Sequence, residues 1–167
     1  MIRAGLAASL ALALVACATS GPAIRTHGPQ ALAYGVSTSA MGDVDAALAR
    51  ARSANKRVLL VLGANWCHDS TALAGWLQTP RFAALVAQSY EPVFVNVGMP
   101  QTGDGHNLDV ANRFGLADLP GTPALLVLTA EGKAVNLDTA ASWRNAASRS
   151  EDAIFAELTA LAAQPAP

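Results

Sequence analysis

The sequence predicts an α/β domain: a β-sheet with helices on both faces. Three observations carry this. Segments of helical period and segments of strand character alternate between residues 42 and 163. The run Val58-Leu59-Leu60-Val61-Leu62 is apolar without interruption, as a strand buried on both faces requires. A second such run, Ala124-Leu125-Leu126-Val127-Leu128, is followed by a Glu131-Gly132 turn and then by a second strand at about 133–137, which together read as a hairpin. The length, 167 residues, allows one domain of ordinary size.

Each element has its own signal. Asp43 is the expected N-cap of a first helix, with Asp45 adding favourable charge in the first turn. Val44, Ala47, Leu48 and Ala51 recur at helical spacing, and the helix should end near Asn55. Strand 58–62 follows, then a polar turn, then a helix to about Leu77. Thr79-Pro80 breaks that helix, because proline restricts the residue before it. Arg81 to Gln88 reads as a further helix with Phe82, Leu85 and Val86 on its apolar side, and Pro92 to Val97 as the next strand. Gly98 to Gly105 reads as a loop, and Leu108 to Phe114 as a short helix capped by Asn107. Glu151 to Ala163 is an amphipathic helix with Ile154, Phe155, Leu158 and Leu161 apolar, capped by Ser150. Trp76 and Trp143 are expected in packing roles.

The N-terminal region has a different character. Arg3 precedes a charge-free, Ala- and Leu-rich run from Ala4 to Ala16, too short to span a bilayer comfortably as a helix. The run ends Leu14-Val15-Ala16-Cys17, which resembles the lipobox of bacterial lipoproteins. That resemblance implies a signal peptide at 1–16, acylation of Cys17, and a protein anchored in the bacterial cell envelope facing the periplasm. Acyl chains contribute about 0.8 kcal/mol per buried CH₂, so several chains on one cysteine anchor firmly. Residues 17–40, rich in Ala, Gly, Ser, Thr and Pro, are expected to be the anchor and a loose tether, with His27 solvated. The folded domain is expected at 41–164.

Composition excludes some functions. Nine Arg, two Lys and a net charge of −1 provide no basic field for nucleic acid. Of the two cysteines, one would carry lipid, which leaves Cys67 as a single thiol in an exported protein. A lone cysteine there points to a reactive thiol or an intermolecular partner.

The chain is organised around Gly63-Ala64-Asn65-Trp66-Cys67-His68-Asp69-Ser70, between the first strand and a helix. A helix start concentrates free N–H groups and the positive end of the macrodipole, which favours a thiolate at Cys67. Protonated His68 would favour the thiolate and Asp69 would oppose it, although both are also ordinary first-turn residues. A metal site is a poor reading: Cys67 and His68 are adjacent, without the spacing of a zinc site, and His106 lies in a loop. No phosphate-binding glycine loop is present. No metal and no cofactor are expected.

This segment resembles the active site of the thioredoxin superfamily, whose motif is Trp-Cys-x-x-Cys. The second cysteine is Ser70 here. Gly121-Thr122-Pro123, followed by a strand, a turn and a strand, resembles the superfamily's second landmark, in which a cis-proline faces the active cysteine. The likeness spans about residues 42–163 and implies a thioredoxin-like fold, a central mixed sheet flanked by helices. It implies that Cys67 attacks disulfides, that Trp66 covers the thiol, and that Thr122 and Pro123 pair with substrate peptides. Ser70 either donates a hydrogen bond to the thiolate or is a polar helix-start residue without a redox role. An alcohol cannot resolve a mixed disulfide as a second thiolate does. Alignment on Trp66-Cys67 also places Val61 where thioredoxins carry a buried acid, so both parts of the resolving step are missing.

Two functions remain open at this point. One is thiol–disulfide exchange through mixed disulfides with exported proteins or small thiols, released by an outside thiol. The other is a non-catalytic binding module that holds a peptide or protein partner in the cis-proline groove. Exchange predicts fast alkylation of Cys67 at about pH 6. Binding alone predicts ordinary thiol reactivity and partner capture that survives Cys67→Ser.

Overall fold

The structure, a computed structural model, describes Met1 and residues 28–165. The expected signal peptide, Cys17 and His27 lie outside the described residues. Among the described residues ten regular elements follow one another: α1 (Ala40–Ala54), β1 (Arg57–Gly63), α2 (His68–Gln78), α3 (Pro80–Ser89), β2 (Tyr90–Asn96), β3 (Gly98–Met99), β4 (Asp104–Gly105), α4 (Leu108–Arg113), β5 (Ala124–Leu128) and α5 (Glu151–Ala163). Short 3-10 segments lie at Pro100–Thr102 and Ala140–Ser148.

The central sheet is mixed, with strand order β2-β1-β5. β1 runs parallel to β2, with Val61 opposite Phe94, and antiparallel to β5, with Val61 opposite Leu125. Alternation along β1 builds two cores, since successive side chains leave opposite faces of a strand. Val58, Leu60 and Leu62 join α1 and α4 on one face. Leu59 and Val61 join α2, α3, α5, Tyr34 and Trp143 on the other. Every residue of the apolar run 58–62 is therefore fully buried. Among the described residues, no helix is long and apolar enough to cross a membrane.

Four departures from expectation have physical reasons. α1 begins at Ala40 rather than after Asp43; Asp43 sits in the first turn and accepts a hydrogen bond from the Ser37 hydroxyl at 2.5 Å. The expected loop 98–105 closes instead as the hairpin β3–β4, two residues per strand, with positive φ at Gly98 and Gly103. Asn107 stands at the N-cap of α4, but its Nδ2 donates to the Asn96 carbonyl at 2.9 Å and caps nothing.

The fourth departure is the second hairpin strand at 133–137, which does not form. Only an isolated bridge joins Leu128 to Ala134, although Val135 N still donates to the Val127 carbonyl at 2.9 Å. Beyond that point the Asn136 side chain replaces the backbone. Its Oδ1 accepts from Val127 N at 2.8 Å, and its Nδ2 donates to the Leu125 carbonyl at 2.9 Å. One carboxamide supplies both the donor and the acceptor that the next strand position would have supplied. The chain is then free to leave the sheet and form the 3-10 segment Ala140–Ser148. Its buried residues, Ala140, Trp143 and Ala146, recur every three, the period of a 3-10 helix.

The stretch expected to be a loose tether is anchored to the domain at several points of its described part, although Leu32 and Val36 are exposed. Residues 28–39 form neither helix nor strand, yet Tyr34 is only 1% exposed. This strap runs along α2. Ala31 N donates to the Thr71 carbonyl at 2.9 Å, and Gly28 lies against the Trp76 ring. At Gly75 the strap backbone comes so close that an added Cβ would sit 2.3 Å from the Pro29 carbonyl oxygen.

Candidate functional site

β1 delivers the chain to the motif through Gly63. A side chain there would collide with two groups, since its Cβ would lie 2.5 Å from the Tyr34 ring and 2.8 Å from the Ser70 hydroxyl. The turn Ala64-Asn65-Trp66 brings Cys67 to the N-cap of α2 in an extended conformation (φ −86°, ψ 120°), with Cys67 N bonded to the Ala64 carbonyl at 3.1 Å. The Cys67 carbonyl accepts from Thr71 N at 3.0 Å and from the Thr71 hydroxyl at 3.3 Å. The side chain caps nothing in its own helix. It turns across to the other landmark, where Sγ donates to the Thr122 carbonyl oxygen at 3.3 Å.

The Thr122–Pro123 peptide bond is cis. Both residues are buried, and Thr122 meets the sulfur directly. The Thr122 hydroxyl is buried and has no hydrogen-bond partner among the described residues. Cys67 itself is 8% exposed and is a free thiol.

Ser70 is fully buried one turn into α2. Its hydroxyl accepts from Ala64 N at 3.4 Å, and its carbonyl accepts from the Tyr34 hydroxyl at 3.3 Å. Among the described residues, no hydrogen bond joins Ser70 to Cys67. His68 is exposed; Gln30 Nε2 lies 2.9 Å from its Nδ1. Asp69 faces the other way, and its Oδ1 accepts from Ala147 N at 2.8 Å, fastening the 3-10 segment to α2. Trp66 is 54% exposed and leans over the β3–β4 hairpin, its Nε1 donating to the Gly98 carbonyl at 3.1 Å. His106 is exposed beside the same hairpin, where an added Cβ on Gly98 would meet its Nδ1 at 2.7 Å. Among the described residues, no group of three or more His, Cys, Asp or Glu side chains could hold a metal ion. Val61 is fully buried in the apolar core behind the motif.

Tyr34 is the residue that sequence reasoning missed. Its backbone N–H donates to Asn65 Oδ1 at 3.1 Å, and its carbonyl accepts from Asn65 Nδ2 at 3.0 Å and Asn96 Nδ2 at 3.4 Å. Its ring meets Phe94 edge-on at 5.5 Å. Burial, partly offset by the Ser70 hydroxyl and reinforced by the nearby Cys67, holds its hydroxyl well above the ordinary tyrosine range. Tyr34 is therefore a neutral donor at the back of the thiol turn. The available signal was a single aromatic residue in a stretch otherwise poor in large side chains.

In sum, the fold brings together Trp66, Cys67, Ser70, Thr122 and Pro123, and sets His68 on the outer rim. A buried sulfur, a helix start behind it and the Thr122 carbonyl before it make an arrangement suited to nucleophilic sulfur chemistry.

Residues 39–130 match a family described as thioredoxin-like. Among solved structures, the chain is similar to a disulphide isomerase from Xylella fastidiosa Temecula1. Identity is 32%, the match covers 77% of this chain and 95% of that one, and the TM-score is 0.69. No curated protein matches this chain.

Proposed function

The chain belongs to the thioredoxin-like family, and on that premise we propose that it carries out thiol–disulfide exchange through the single thiol of Cys67. The observation that carries this reading is the meeting of Cys67 Sγ, at the N-cap of α2, with the carbonyl of Thr122 before cis-Pro123. In the proposed reaction the Cys67 thiolate attacks one sulfur of a substrate disulfide. A Cys67–sulfur bond forms, the substrate's sulfur–sulfur bond breaks, and the other half leaves as a thiolate. The Cys67 proton passes to solvent. Ser70 cannot complete a second attack, so an external thiol must release the product. Trp66, Thr122 and Pro123 border the substrate, and His68 stands at the rim.

The same reading includes export and a lipid anchor on Cys17, supported by the Leu-Val-Ala-Cys end of the N-terminal apolar run. The protein would then be held at the bacterial cell envelope, facing the periplasm, with exported proteins or small thiols and disulfides as partners. Intact-mass measurement of the native protein should find cleavage before Cys17 and a diacylglycerol-sized addition. A mature protein that starts elsewhere without lipid overturns the anchor.

Isolation under thiol-trapping conditions tests the exchange reading. Disulfide-linked partners should be recovered with the unaltered protein and lost with Cys67→Ser. Partners that are captured equally well by Cys67→Ser would instead establish the binding module, for which exposed Trp66 and Met99 offer an apolar rim.

A further inference from the structure

The segment Ala140–Ser148 brings a cation to the rim of the thiol site. Two anchors fix the segment. Trp143 is fully buried in the core beneath it, and Ala147 N is held by Asp69 of the motif at 2.8 Å. Arg144, between these anchors, is exposed. Its stem crosses Gly121: a Cβ added to that glycine would lie 3.2 Å from Arg144 Cδ and 3.9 Å from a terminal guanidinium nitrogen. Gly121 adjoins Thr122, the residue whose carbonyl accepts the Cys67 thiol. Arg144 Nε donates to the Ala141 carbonyl at 3.1 Å, which directs the fork of the guanidinium. Among the described residues Arg144, like Arg52 and Arg57, enters no ion pair, whereas Arg50, Arg81, Arg113 and Arg149 all do.

We propose that Arg144 is a specificity-determining residue that binds a carboxylate carried next to the disulfide attacked by Cys67, and that Asp69 is its positioning residue. This rests on the exchange reading above. A planar guanidinium with its terminal nitrogens unengaged matches a carboxylate through two parallel N–H···O bonds. Glycine at 121, next to Thr122, leaves the space that the Arg144 stem crosses. The carboxylate can belong to a small-molecule disulfide or to an acidic side chain beside a peptide cysteine. Its binding changes no electron count: Cys67 gains a bond to one sulfur, and the other half leaves as a thiolate.

The test compares two chromogenic disulfides on the full chain. Dithiobis-nitrobenzoate carries a carboxylate on each ring; dithiodipyridine carries none. Arg144→Gln should lower the ratio of the anionic-probe to the neutral-probe rate constant about fivefold, the upper range for an exposed ion pair. The drop should shrink at high salt, where exposed charges are screened. Asp69→Ala should lower the same ratio by part of that amount. An equal loss with both probes would assign Asp69 a purely structural role and overturn that half of the proposal. A ratio unmoved by Arg144→Gln, with the neutral probe still reacting, overturns the role of Arg144 and leaves thiol exchange standing. A Cys67 that reacts with neither probe overturns both. Glutathione disulfide, and peptide disulfides with Glu or Gln beside the cysteine, then identify the source. Slowing of glutathione disulfide by Arg144→Gln supports a small-molecule carboxylate, and slowing of the Glu peptide alone supports an acidic peptide.

Discussion

The Cys67 thiol donates to the carbonyl oxygen of Thr122 at 3.3 Å, across 55 residues of chain. The contact closes the site from both landmarks at once. On the proposed exchange reading, a peptide that pairs with Thr122 would compete with the thiol for this carbonyl or share it. The following predictions concern what lies around that contact.

Ser70→Cys should restore a dithiol. Residue 70 is fully buried one turn from Cys67 at the same helix start, and the new thiol should close an internal disulfide under mild oxidation. Insulin reduction with a chemical reductant should appear but remain slow, because Val61 supplies no buried acid. Val61→Asp added to Ser70→Cys should raise turnover and lower stability, since a carboxyl group in this core has no partner. If Ser70→Cys stays as two free thiols after mild oxidation, the geometry assigned to the motif is wrong.

Gly75→Ala should dislodge the strap. The added methyl would meet the Pro29 carbonyl at 2.3 Å, and either α2 or the strap must move. The expected loss is about 1–3 kcal/mol in urea unfolding, the usual range for overpacking. Limited proteolysis should show new cleavage near residue 30. An unchanged digestion pattern would mean that the strap is not held along α2.

Asn136→Ala should destabilise the protein by about 1–3 kcal/mol, because Val127 N–H and the Leu125 carbonyl both lose a buried partner. The urea midpoint should fall with little change in slope. Asn136→Val, which suits a strand but bonds neither group, should do no better; full stability in that variant would show that the strand can re-form.

Stability should decline at high pH. Burial raises both Tyr34 and Tyr90 above the ordinary tyrosine value of 10.0. In the unfolded chain each ionises near that value, while in the folded chain each stays neutral. Their contribution is therefore complete below the ordinary value and is lost as pH rises above it. Urea unfolding at about pH 8 and about pH 11 should show a smaller loss in Tyr90→Phe than in the unaltered protein. An equal loss in both would remove Tyr90 from the effect. The phenylalanine variant also gives up the hydrogen bond to the Leu158 carbonyl, so its stability at the lower pH should be reduced.

Local pattern alone determined the β1 strand, the Thr79-Pro80 break, the Ser150 cap and the placing of Cys67 at a helix start. These depend on neighbours a few residues apart, through alternation, proline stereochemistry and capping, and so they are written in short windows of sequence. The Ser150 hydroxyl, for example, accepts from Ala153 N as its position implied. Tertiary structure decided the rest. Tyr34 looks like a tether residue until Asn65, Asn96, Phe94 and Ser70 surround it. Asn136 looks like a strand residue until its side chain displaces the strand's own hydrogen bonds. Asp69 looks like a tuner of the thiol until Ala147, 78 residues away, takes its oxygen. Each of these residues makes polar or aromatic contacts whose partners lie far along the chain, and hydrophobic period carries no record of which distant group will satisfy a buried donor or acceptor.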